Sequence, residues 1–411
     1  MSLTLGSPLT LPCGVTLKNR FGKAPLTEGL ADSLNRATAR HAELYRRWAE
    51  GGAAVVVTGN VQVDRRYLER PGNVVIDGPQ DEVALAGLRA YAAAGTANGT
   101  QLWMQINHPG RQTPRRVCEQ PVAPSAVPLN LPEVAFAKPR AMTAEEVEQV
   151  VDRFVHTARI AQETGFSGVQ VHAAHGYLLS QFLTPLVNQR TDQWGGSLEN
   201  RARLLLTIVR AIRETCGPSF PISVKLNSSD FQQGGFDASD SLQVVRWLQA
   251  AGIDHLEISG GNYENPSMMG ARRKDGSGVA ESTVKREAYF MDYAEQIRSV
   301  ATVPLMVTGG FRTRAAMEEA LASGNLDMIG LGRPMCVLTD APNRLLAGAD
   351  GVPAYESEIS PAKAGMGWFA LALISHGDGK DPNTAMTGEE AMKAYMANEE
   401  ATAAALEGRA A

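Results

Sequence analysis

The sequence is poor in paired cysteines, in dense basic tracts and in long apolar runs, and each absence removes a class of function. Its 411 residues include four cysteines, Cys13, Cys118, Cys216 and Cys336. They stand far apart, without the Cys-x-x-Cys or Cys-x-x-His spacing that holds zinc or an iron-sulfur cluster, so reduced thiols and no metal are expected. Formal charge is −5, and basic residues cluster only as Arg115-Arg116 and Arg272-Arg273-Lys274. That argues against nucleic acid or an anionic membrane as the main partner and leaves a small molecule as the expected ligand. No stretch reaches the roughly 18 apolar residues of a membrane span. The opening Met-Ser-Leu-Thr-Leu-Gly-Ser-Pro lacks a positive segment followed by an apolar one, so a cytoplasmic location is expected.

At 44% apolar composition the chain can bury one large core or two ordinary ones. Eight short β-branched runs recur, each followed by a loop and an amphipathic helical stretch. They are 21–26, 53–58, 100–106, 168–171, 222–226, 255–259, 305–308 and 327–330. Most are apolar throughout, as parallel strands covered on both faces should be. Thr143 with Glu146 forms a capping box, Ser239 and Thr313 are candidate N-caps, and Gly95, Gly165, Gly252 and Gly324 fall where helices hand over to strands. Eight strand-helix units over about 330 residues predict a closed (β/α)8 barrel rather than a doubly wound sheet. Residues 1–19 predict a β-hairpin closing one end of the barrel. Residues 1–350 form the barrel in this division, and 351–411 a helical extension packed on it or on an interface.

Chemistry collects at the strand ends, where a barrel of this kind builds its site. The fourth run releases His172, His175 and Tyr177 within six residues. Three protic side chains so spaced can bind one electron-rich oxygen and deliver one proton. Thr308-Gly309-Gly310-Phe311 and Gly330-Leu331-Gly332-Arg333 follow the seventh and eighth runs, the usual phosphate position of the fold. There glycines admit backbone N–H groups to an anion and Arg333 adds a bidentate charge.

In sequence order, the motifs are Ala24-Pro25-Leu26-Thr27, Gln105-Ile-Asn-His-Pro-Gly-Arg111, Pro124-Ser125-Ala126, His172-Ala-Ala-His-Gly-Tyr177, the Asn188 to Arg201 segment, Gly309-Gly310 and Gly332-Arg333. Together these resemble the old yellow enzyme family of FMN-dependent ene-reductases, from about Lys18 to Leu345. The resemblance implies a (β/α)8 TIM barrel with FMN at its mouth and NADH or NADPH as electron donor. It also implies a small enone-type or nitro substrate and a homodimer. By the same resemblance Gly309, Gly310, Gly332 and Arg333 hold the flavin phosphate, Gln105 the pyrimidine edge and Thr27 the C4 carbonyl, with Pro25 and Asn60 beside the ring. His172 and His175 would polarise the substrate oxygen, and Tyr177 would protonate the α-carbon opposite the incoming hydride.

Lys225 stands where many members place an arginine, a point charge in place of a planar fork. Asn60, beside Gly59, occupies a position that is often small. For Arg190, Asp192 and Trp194 a scaffold role is favoured over substrate contact. Specificity is assigned to 260–286, which holds Tyr263, Met268, Met269 and Arg272-Arg273-Lys274. Two other readings stay open: a Schiff-base lyase or aldolase using Lys225, and a flavin carrier without catalysis. Trp368 and Phe369 are expected in an interface or a lid.

Overall fold

The computed structural model describes residues 3–132, 134–259, 263–264 and 293–407. Eight parallel strands close a barrel: β1 (Phe21–Lys23), β2 (Val55–Val57), β3 (Gln101–Asn107), β4 (Gly168–Ala173), β5 (Ile222–Asn227), β6 (His255–Ser259), β7 (Leu305–Thr308) and β8 (Met328–Leu331). Closure is made by Ile329 pairing with Phe21 across β8 and β1, and by Val55 pairing with Gln101 across β2 and β3. The eight expected strands are all present. β1 is shorter than expected because Pro25 offers no N–H to the ladder.

Helices cover the outside: Ala39–Glu50, Glu82–Gly95, Ala144–Glu163, Leu198–Cys216, Ala238–Ala250 and Arg314–Ala322. Thr143 and Glu146 make the expected reciprocal cap, at 3.1 and 2.9 Å. The cap of Ala238–Ala250 is Asp237, not Ser239. The carboxylate accepts from the Asp240 N–H at 2.9 Å, and Ser239, already inside the helix, donates its hydroxyl to the same oxygen at 2.7 Å.

The antiparallel hairpin of Leu9–Thr10 and Thr16–Leu17 stoppers the N-terminal end. Its Leu11 and Leu17 pack with Val55, Val57, Trp103, Met306 and Met328 inside the barrel. Burying each leucine contributes about 2 kcal/mol. With that end closed, a ligand enters at the other.

Four inward-facing rows are not apolar as expected. Side chains alternate faces along a strand, so Gln105, Gln170 with His172, Ser223 with Lys225, and His255 with Glu257 point into the barrel from β3 to β6. All of them but His172 join one bonded web. Gln105 Nε2 donates to Gln170 Oε1 at 2.7 Å, and Gln170 Nε2 to Glu257 Oε2 at 2.9 Å. Lys225 Nζ and Thr308 Oγ1 each donate to Glu257 Oε1 at 2.8 Å. Both oxygens of this fully buried carboxylate are engaged, which is the condition for a polar layer to be tolerated in a core.

After β8 the chain continues into Gly365–Gly377, packed on Ala39–Glu50, and Gly388–Glu407, packed on Gly365–Gly377. Trp368 and Phe369 are buried within the chain itself. The indole donates to the Met386 carbonyl at 2.9 Å and lies edge-on to Phe369, so neither ring presents the exposed face expected of an interface or lid. Among the described residues no helix is long and apolar enough to cross a membrane.

Candidate active site

β4 delivers His172 as an inward residue near its end. The chain then turns through His175, whose φ of 60° is in the left-handed region, and Gly176, to start the helix Leu178–Leu183 after Tyr177. Strain at His175 is held by its environment: its N–H donates to Asn227 Oδ1 at 3.2 Å and its carbonyl accepts from Gln112 Nε2 at 3.0 Å. The three protic rings come together. His172 lies edge-on to His175 at 5.1 Å between centroids and to Tyr177 at 4.8 Å.

Their protonation states follow from burial. His172 is held well below the ordinary imidazole pKa, first by desolvation, then by His175 and the Lys225 ammonium. Desolvation and Lys225 do the same to His175. Both rings are therefore neutral at pH 7. His172 Nδ1 accepts from the Ala174 N–H at 3.2 Å, which assigns the ring proton to Nε2 and makes that atom a donor. His175 Nε2 is bonded to Ser259 Oγ at 2.5 Å. Tyr177 is pushed well above its usual value by burial, then by the Glu69 charge and Tyr263, so its proton stays on. Its hydroxyl is 2.9 Å from that of Tyr263. Burial is opposed at Glu257, where the Lys225 ammonium and the donors Thr308 and Gln170 hold the carboxyl below its usual range. Lys225 thus faces Glu257 as half of a buried ion pair of 2.8 Å, directly across the ladder from His172.

At the same mouth, the loops after β1 and β2 meet, with Glu69 near enough to act on Tyr177. Pro25 and Thr27 are half-buried there. Thr27 Oγ1 donates to Glu69 Oε2 at 2.8 Å, and Asn60 Nδ2 donates to the same oxygen at 2.9 Å. Asn60 Oδ1 is buried and, among the described residues, has no hydrogen-bond partner. Gly59 is needed for this approach, since a Cβ there would sit 2.6 Å from the Leu26 carbonyl oxygen. After β7, Gly309 and Gly310 have φ of 124° and 83°, a path closed to most side chains. A Cβ added at Gly332 would point into open space. Arg333 is half-buried beside it. Arg312 pairs with Glu356, whose carboxyl is held below its usual range because Arg312 and Arg333 together outweigh its burial.

The structure therefore brings together His172, His175, Tyr177, Gln105 and Lys225 on one wall and floor, and Pro25, Thr27 and Asn60 on the loops after β1 and β2. Gly309, Gly310, Gly332 and Arg333 lie at the ends of the adjacent strands β7 and β8. Sequence reading missed Glu257 and Glu69. Glu257 has a signal, a charged residue two positions from His255 within a strand where both must face inward. Glu69 has none, because its partners come from elsewhere in the chain. Arg190, Asp192 and Trp194 are scaffold: Arg190 bonds the Pro124 carbonyl and Asp192, and Asn188 Nδ2 bonds the Trp194 carbonyl at 2.8 Å. Met268, Met269, Arg272, Arg273 and Lys274 lie outside the described residues.

Residues 4–350 match the NADH:flavin oxidoreductase / NADH oxidase family. The chain belongs to it. It is 39% identical over 352 residues to an NADH-dependent flavin oxidoreductase, iliE, of Neonectria sp. (strain DH2), covering 82% of this chain but only 46% of that protein's length. It is 38% identical over 349 residues to the iliE protein of Hypocrea jecorina (strain QM6a), covering 80% of this chain and 86% of the relative. Its fold superposes on an old yellow enzyme homologue from Zymomonas mobilis with a TM-score of 0.69 at 26% identity, over 85% of this chain and 94% of that one. The family's cofactor is FMN and its electron donor NADH.

The mouth fits that cofactor by its own chemistry. The open cradle at Gly332 with the Gly309-Gly310 turn suits a phosphate, and Arg333 supplies a cation beside it. The unsatisfied Asn60 Oδ1 offers an acceptor at the ring's edge. Gln105 spends only its Nε2 on Gln170, which leaves Oε1 for a ring N–H. Thr27 differs from expectation, because its single hydroxyl proton is already committed to Glu69. It can accept from a ring N–H while that bond persists, and can donate to a ring carbonyl only if the bond is released.

Proposed function

We propose that this flavin oxidoreductase uses NADH or NADPH to reduce activated carbon–carbon double bonds, those of α,β-unsaturated carbonyls and of nitro compounds, in ping-pong order. Bound FMN supplies the hydride. The observation that carries the reading is the wall formed by His172, His175 and Tyr177, two neutral imidazoles and a protonated phenol, beside the Lys225 ammonium.

His172 Nε2–H, aimed away from its own backbone bond, donates to the substrate's carbonyl or nitro oxygen, and His175 lies beside it to complete the grip. Negative charge grows on that oxygen as hydride reaches the β-carbon, so fixed donors bind the transition state more tightly than the ground state. Tyr177 then passes its proton to the α-carbon. Tyr263, 2.9 Å away, turns its own O–H toward the Tyr177 oxygen as that proton leaves. Lys225, held at 2.8 Å by Glu257, would place a cation near the pyrimidine edge of the bound flavin, where it would offset negative charge.

That same ion pair counts against the lyase reading. A Schiff base requires a free amine, and Lys225 Nζ is engaged by Glu257 at 2.8 Å. An anaerobic stopped-flow experiment tests the proposal. NADH should bleach the flavin band at a rate independent of alkene, and cyclohexenone added afterwards should restore the colour. Bleaching that no enone or nitroalkene reverses would leave the carrier reading in its place.

A further inference from the structure

The family match ends at residue 350, yet the helix Gly388–Glu407 reaches the mouth. Its Glu399 is 1% exposed and takes two arginines. Arg70 Nη2 donates to Glu399 Oε1 at 2.8 Å and Arg70 Nε to the same oxygen at 3.2 Å, while Arg116 Nη2 donates to Oε2 at 2.7 Å. Tyr395, one turn earlier, lays its ring 5.2 Å from the Arg70 guanidinium. The remaining arm of Arg70 donates to the Thr27 carbonyl at 2.9 Å. One buried guanidinium thus joins the loop after β1, the loop after β2 and the C-terminal helix. The two loops are already in backbone contact, with the Ala31 N–H donating to the Gly72 carbonyl at 3.1 Å.

We infer that the C-terminal helix is part of the active site, and that Glu399 is a positioning residue which keeps Arg70 engaged beneath the loop so that Glu69 stays on Thr27 and Asn60. The neighbouring carboxylates compete for one cation. Arg70 is next to Glu69 in sequence and close enough for the Glu69 charge to favour the guanidinium. While Glu399 holds Arg70, the Glu69 carboxylate is left to its neutral partners, Thr27 Oγ1 at 2.8 Å, Asn60 Nδ2 at 2.9 Å and Asn73 Nδ2 at 3.5 Å among them. Removing the Glu399 charge leaves Arg70 to neutralise Glu69. The Thr27 hydroxyl is then released toward the flavin carbonyl, where a donor stabilises the charge that reduction brings.

The inference rests on FMN occupying this mouth, and coupling between two sites is reciprocal. Hydrogen exchange on wild-type protein should therefore show the amides of 388–407 slowed by about tenfold or more when FMN is added to the apoprotein. Glu399→Gln should loosen the Thr27 loop that Arg70 ties down and so weaken FMN binding by about tenfold, within the usual range of such coupling, while the freed Thr27 hydroxyl moves the midpoint potential of the bound flavin in the positive direction. Glu399→Asp, which restores the charge, should return both toward wild type. A merely structural helix would give a lower melting temperature for Glu399→Gln with unchanged FMN affinity and potential, and no FMN-dependent protection in the wild type. That result would overturn the inference alone, whereas a wild-type protein that takes up no FMN would overturn the reading of the site beneath it.

Discussion

His172→Ala combined with His175→Ala should leave FMN in place and the rate of flavin bleaching by NADH within a few-fold, while enone-driven reoxidation slows by about 10³-fold, the upper range for removing one oxyanion donor. The asymmetry follows from where the rings stand. His172 is bonded to the Ala174 N–H and His175 to Ser259 Oγ, while the phosphate and edge contacts are assigned to other residues, so the cofactor keeps them. Both lie on the wall that receives the substrate oxygen. Because both rings are neutral well below pH 6.5 and Tyr177 stays protonated well above pH 10, wild-type reoxidation should show no ionisation of these groups between about pH 6 and pH 9. Stopped-flow reoxidation across that range checks both points. Loss of flavin from the double variant, or an inflection near pH 6.5 that disappears in it, would contradict the roles given to the two histidines.

The apoprotein should lose stability steeply on acidification from pH 6.5 toward pH 4. His41, His108 and His255 are each brought to about 4 by desolvation, all three lying deep in the protein. In the unfolded chain each returns to about 6.5. A histidine whose folded value is depressed costs nothing above the unfolded pKa, where both states are neutral. Below it the unfolded chain binds the proton first, and the penalty grows until the folded value is passed. Over such a window each group costs about 3 kcal/mol, so three of them remove an amount comparable to the whole stability of an ordinary domain, about 5–15 kcal/mol. His172 and His175 are shifted in the same direction and add to the loss. Denaturant midpoints at pH 7.5, 6, 5 and 4.5 should fall continuously. A midpoint that stays level down to pH 5 would contradict the burial of these rings as neutral groups.

What was legible in the sequence is what local chemistry decides. Each barrel strand announces itself as a short β-branched run, and the residues next after β4, β7 and β8 are those whose backbone must turn out of the ladder, so His175, Tyr177 and the glycines fall where expected, while His172 is still inside β4, which runs two residues longer than its run predicts. The inward polar web was not legible. Lys225 and Glu257 sit in runs that read as apolar, and only the register, which sets them opposite each other, shows that they neutralise one another. Glu69 was invisible for a related reason, since its bond to Thr27 spans 42 residues of chain. At Ser239 two capping residue types lie two positions apart, and the helix begins at the earlier one. Trp368 and Phe369 were recognised as apolar, but sequence cannot say whether such a face meets a partner or its own chain.

The central claim, that the barrel mouth seats FMN with its ring against the two imidazoles and the phenol, is tested most directly by a crystal structure of the FMN-saturated protein. The phosphate should lie against Gly309, Gly310, Gly332 and Arg333, with Gln105 and Lys225 at the pyrimidine edge and His172, His175 and Tyr177 facing the ring across the space for substrate. A flavin seated elsewhere, or those three side chains turned away from it, would contradict the account.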